Sequence, residues 1–109
     1  MTLYHGSHNN MMGTGKAHEG MCFVDSIDIA ENYGNTMFSL DIDGLDIVEV
    51  DGYDREENTA PADSEEFRAK YVGECDLLMY EDEDVNGNAH TCYRVISDRA
   101  IELVALVED

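Results

Sequence analysis

The stretch LLMYEDEDVNGNAHTCYRVI, Leu77–Ile96, decides the architecture of this 109-residue chain. Asn86-Gly87 is the strongest hairpin signal it contains, because both residues tolerate the positive φ that a two-residue turn demands. β-compatible runs flank the dipeptide, so Leu77–Glu83 and His90–Ile96 are expected to pair antiparallel. With Asn86-Gly87 as the two turn residues, Val85 faces Asn88, and Glu81 falls directly opposite Cys92 with its side chain on the same face. A one-residue slip hands that position to Asp82.

Working outward, Thr2–His5 and Met21–Val24 read as short strands, with residues 7–19 a loop rich in Asn, Gly and Ser. Ser26 is an expected N-cap, with Asp28 in the first turn, for a helix carrying Ile27, Ala30 and Tyr33 on one face. Thr36–Ile42 and Leu45–Val50 are β-rich runs on either side of Asp43-Gly44, a turn signal. Residues 51–62 are polar, contain the sole proline, Pro61, and read as loop. Asp63 or Ser64 caps a second expected helix through Tyr71, and Ile101–Val107 alternates as a final strand. The expected fold is one compact, strand-rich α+β domain, residues 1–109, with about two helices.

Composition bounds the function. Hydrophobic residues make up 43% of the chain, enough for a single core. There is no apolar run of membrane-spanning length and no signal-peptide pattern, so the expectation is a cytoplasmic protein without a membrane partner. Cys22, Cys75 and Cys92 form an odd set without metal-finger spacing and read as reduced thiols. The net charge of −19 disfavours nucleic acid and favours basic protein surfaces. That charge is unevenly spread. Residues 1–24 hold one acid (Glu19), one base (Lys16) and three histidines, so the excess negative charge lies entirely beyond them. An anionic ligand is best tolerated near that neutral segment.

Two short segments carry a family likeness: Leu3-Tyr4-His5-Gly6-Ser7, and Gly20 through Gly34 with Phe23, Asp25 and Tyr33. Together they resemble the NAD-binding half of ADP-ribosyltransferases of the His-Tyr-Glu type. The likeness covers about the first third of the chain. It implies an ADP-ribosyltransferase-like fold, NAD as co-substrate, and transfer of ADP-ribose to a protein. It further implies that His5 bonds a ribose hydroxyl, that the Gly6 backbone meets the carboxamide, and that Tyr33 stacks on nicotinamide. Ser7 and Phe23 match recurring positions of the family's cofactor site. Ala30 stands where many members carry a serine that bonds the carboxamide.

The family's glutamate opens a late strand, and at that position this chain has Cys92. A thiol cannot stabilise a cationic transition state as a carboxylate does, so the expected hairpin assigns the role to Glu81, or to Asp82 if the register slips. Small phage-encoded members that inhibit CRISPR complexes are similar in this respect, with an acidic residue before a hairpin leading into Thr-Cys-Tyr, here Thr91-Cys92-Tyr93. The resemblance therefore implies a protein target in a host defence complex.

Other readings attach to the same residues. Asp82 through Gly87 matches the opening of a calcium loop, but its twelfth position is Tyr93 in place of the bidentate glutamate. The acidity also suits a non-enzymatic inhibitor whose carboxylates imitate DNA phosphates on a nucleic-acid-binding protein. An NAD or ADP-ribose binder without turnover is the third possibility.

Overall fold

The computed structural model describes residues 1–7, 20–31, 36–52, 56, 58–83, 87 and 89–106. These form one seven-stranded sheet: β1 (Thr2–Ser7), β2 (Cys22–Val24), β3 (Thr36–Asp41), β4 (Ile47–Glu49), β5 (Leu77–Glu83), β6 (Ala89–Val95) and β7 (Ala105–Leu106). Their order across the sheet is β4-β5-β6-β2-β1-β3-β7. Only the β4–β5 pair is parallel, so the sheet is mixed.

Helices cover both faces. α1 (Ile27–Glu31) and α2 (Glu65–Ala69), the latter preceded by a 3-10 turn at Pro61–Asp63, pack on one side, and α3 (Asp98–Leu103) packs on the other. Strand alternation sorts the core accordingly. Phe23, Phe38, Leu40, Leu77 and Val95 join Leu3 under α3, whereas Val24, Leu78, Tyr80 and Cys92 point towards α1 and α2.

Local chemistry explains the helices. Ser64 caps α2 by accepting from the Phe67 N–H at 3.3 Å, and the Phe67 and Tyr71 rings lie 5.3 Å apart. The strand expected over 101–107 is shortened to β7, Ala105–Leu106, because Ile101–Leu103 belong to α3. Ser97 accepts from the Ala100 N–H at 3.1 Å with Asp98 in the first turn, and this cap outweighs the apolar alternation over Ile101–Leu103. In α1, Ala30 is buried as expected, but Ile27 is 42% exposed and lies off the packed face.

One carboxylate clamps three segments. Asp76 is buried at the start of β5, and its Oδ1 accepts from the Ser97 hydroxyl at 2.6 Å. Its Oδ2 accepts from the Asp46 N–H at 2.8 Å and from Arg99 Nη2 at 2.9 Å. The expectation of three reduced thiols is corrected. Cys22 and Cys92, 70 residues apart in sequence, form a disulfide across β2 and β6, with Cα atoms 6.2 Å apart, and Cys75 alone is free and buried. The β2–β6 ladder sets Val24 against Cys92 and Cys22 against Arg94, so the two sulfurs share one face as diagonal neighbours. No sequence spacing announces that meeting.

Candidate functional site

β1 delivers His5 and Gly6 to the middle of the sheet. The His5 ring packs beside Phe23 and Phe38, at 5.6 Å and 6.0 Å between centroids. Its Nδ1–H donates to the Cys22 carbonyl. A carbonyl oxygen only accepts, so Nδ1 carries a hydrogen in this contact. The half-buried imidazole is thus held in one orientation by the neighbouring strand.

A cavity of about 240 Å³ opens along this part of the sheet. β1 supplies Tyr4, His5 and Gly6 to its wall, β2 supplies Cys22 and Val24, α1 supplies Ala30, and β5 and β6 supply Asp82 and Arg94. Two of the residues matched to the family's cofactor site, His5 and Gly6, therefore border one space with Ala30. Phe23 does not. It is fully buried in the core and supports the His5 ring from beneath. Ser7 closes β1, and nothing further is described of its side chain. Tyr33 lies outside the described residues.

The hairpin register differs from the expected one. β5 and β6 pair Tyr80 with Cys92, Glu81 with Thr91 and Asp82 with His90. The ladder is one residue out of step with a two-residue Asn86-Gly87 turn, because its last pair, Glu83 with Ala89, leaves five residues between the strands. Period-two alternation then sends Glu81 to the opposite face from Cys92. Glu81 is exposed and borders a different depression, with Glu49, Asp51 and Gly52. Asp82 takes the cavity side. The same ladder places Asp82 and Glu83 within a strand, and residues 84–86 of the calcium-loop match lie outside the described residues.

Sequence reasoning passed over two residues of this face. His90 is buried directly opposite Asp82. Arg94 lies inside the cavity wall, where its Nε donates to the Tyr80 hydroxyl at 3.0 Å and its Nη1 to the Gly20 carbonyl at 2.9 Å. Its Nη2 pairs with the Asp63 carboxylate from the 3-10 turn. Burial pushes the Tyr80 phenol above its usual range against the opposing pull of Arg94, so it stays a neutral hydroxyl. The available signal was the strand period: positions 92 and 94 share a face, and Arg94 is one of only six Lys and Arg in the chain.

Chemically, the cavity combines a carboxylate, a guanidinium and an apolar wall of Val24 and Ala30, while the His5 ring, although His5 borders the cavity, packs with Phe23 and Phe38 on the α3 side. Its volume falls below the roughly 300–1,000 Å³ of sites that enclose whole drug-sized ligands. Comparison with protein-family models, curated proteins and solved structures gives no match. No helix among the described residues is long and apolar enough to cross a membrane.

Proposed function

We propose that this protein is a NAD-dependent mono-ADP-ribosyltransferase acting on a basic protein, with a component of a host CRISPR defence complex as the target class. The observation that supports this reading most is that His5-Gly6 and Asp82 wall the same cavity, although β6 and β2 separate their strands. In the reaction, the bond between nicotinamide and ribose breaks and its electron pair leaves with nicotinamide. The ribosyl carbon, now oxocarbenium-like, is captured by a nucleophile of the target, which gives up its proton. A carboxylate beside the developing cation lowers the barrier, and Asp82 is the group assigned to that task. The Gly6 backbone offers close approach to the carboxamide, His5 orients the ribose and Tyr33 stacks on nicotinamide. The protein acts in the cytoplasm of the host cell on this reading. A disulfide is at home in oxidising compartments and in reducing ones usually serves catalysis or sensing, so the Cys22–Cys92 pair is a redox-dependent feature there.

The net charge of −19 supports a second reading, an acidic mimic that blocks a nucleic-acid-binding protein by contact alone. One experiment separates the two. The protein is incubated with candidate basic targets with and without NAD, and the targets are weighed by mass spectrometry. A transferase adds one ADP-ribose substoichiometrically and only with NAD. Inhibition at one-to-one ratio in NAD-free buffer, weakening with salt and leaving the target's mass unchanged, means the mimic is correct.

A further inference from the structure

We infer that Arg94 and Asp63 form an exchangeable pair in which the phosphate oxygens of an incoming ligand replace the Asp63 carboxylate. The inference rests on the transferase reading only for the identity of the ligand, a pyrophosphate-bearing nucleotide. The anion site itself follows from the cavity.

A guanidinium on the wall of a cavity, in a chain of net charge −19, is the cation best placed there to receive an anion. Arg94 is fixed from two sides by neutral acceptors, the Tyr80 hydroxyl and the Gly20 carbonyl. These hold the planar group in place without neutralising it. Among the described residues Asp63 pairs with the guanidinium, and the carboxylate and guanidinium side chains differ in exposure. Arg94 is 20% exposed, whereas Asp63 is 44% exposed and belongs to a 3-10 turn of only three residues. An ion pair with one partner this exposed contributes little, so a dianion that makes a bidentate contact can displace it. The guanidinium fork matches phosphate geometry in a way that a lysine ammonium does not. Asp63 thus acts as an internal stand-in for the ligand's charge. It keeps Arg94 from facing the cavity uncompensated until the ligand arrives.

The alternative is a purely structural clamp joining β6 to the 3-10 turn. The two differ in the sign of one substitution. A clamp predicts that Asp63→Asn loosens the cavity and weakens every ligand. A competitor predicts that Asp63→Asn removes the internal rival and tightens anions alone.

The test is calorimetric titration of the full chain with inorganic pyrophosphate, ADP-ribose and nicotinamide riboside, each at low and physiological salt. Asp63→Asn should tighten pyrophosphate and ADP-ribose roughly threefold, with nicotinamide riboside unchanged. Arg94→Lys should weaken both phosphate ligands about tenfold or more, and melting curves establish that each variant is folded. If ADP-ribose binds but neither substitution moves its affinity, the exchange is wrong while the transferase reading stands. If pyrophosphate follows the expected pattern but ADP-ribose binds no better than pyrophosphate, the exchange is upheld and the nucleotide reading falls. If Asp63→Asn weakens all three ligands, or none of the three binds wild type, the exchange is overturned.

Discussion

Tyr80 stands opposite Cys92 in the central hairpin, and this single pairing decides which carboxylate faces the cavity. Because side chains alternate, fixing Tyr80 on the Cys92 face fixes Asp82 there too and sends Glu81 away.

Asp82→Asn should therefore lower NAD-dependent turnover by about 10²–10³, the usual loss when one preorganised electrostatic group is removed, with little change in NAD affinity. Glu81→Gln should be much milder. Rates measured on a modified target check both, and full activity in Asp82→Asn would leave the cavity without its assigned acid.

Asp76 governs acid stability. Burial alone would raise its pKa, but the Ser97 hydroxyl, the Asp46 N–H and Arg99 together overcome that and hold it below the ordinary carboxylate value. A depressed folded pKa means the stabilisation is complete above the unfolded pKa, about 3.9, and is lost as pH falls through the lower folded value. Asp76→Ala should cost about 2–3 kcal/mol near neutral pH and flatten the steepest part of the acid limb below about pH 4. Urea titrations across pH measure both effects.

Thiol counting tests the disulfide. In denaturant without reductant, alkylation should label Cys75 only, and prior reduction should expose Cys22 and Cys92 as well. The bond closes a loop over a sequence separation of 70 residues, so its removal by a Cys22→Ala and Cys92→Ala double change should destabilise by roughly 4 kcal/mol in the chain-entropy account. Labelling of all three cysteines before reduction would contradict the pairing.

Gly20 has no tolerant substitute. Its φ of +86° disfavours any side chain, and a Cβ there would sit 3.1 Å from the Arg68 guanidinium carbon. Gly20→Ala should cost about 1–2 kcal/mol, read as a lower melting temperature. Because the Gly20 carbonyl also accepts from Arg94, phosphate-ligand affinity should fall with it.

Much of the sheet was legible in residue pattern. Leu77–Glu83 is a strand as read, Thr36–Asp41 ends one residue short of its expected Ile42, and Ser64 caps its helix. What the pattern could not carry is long-range register. Asn86-Gly87 signals a turn, but the register of β5 against β6 is set by which faces of the two strands the core buries. Tyr80, Cys92 and Leu78 bury together, and that packing overrides the dipeptide's preference. Arg94 was overlooked for a related reason, since its importance lies in contacts with Gly20, Tyr80 and Asp63, none of them near it in sequence. Ser97 shows the converse case, a local cap strong enough to draw Ile101–Leu103 into a helix and leave only Ala105–Leu106 as strand.

The sheet has a joint. β1, β2 and β3 come from residues 2–41 and β4, β5 and β6 from residues 47–95, and among the named strands these two blocks meet only along the short β2–β6 ladder. Each block can zip from nearby sequence, whereas the joint waits on the longest loop closure, which places it late in folding. The cavity straddles that joint, with Tyr4, Gly6 and Val24 on one bank and Asp82 and Arg94 on the other. Any occupant is consequently a clasp between two half-sheets. It loads its binding energy onto the slowest-forming seam, and the sulfur bridge beside it can make that seam covalent.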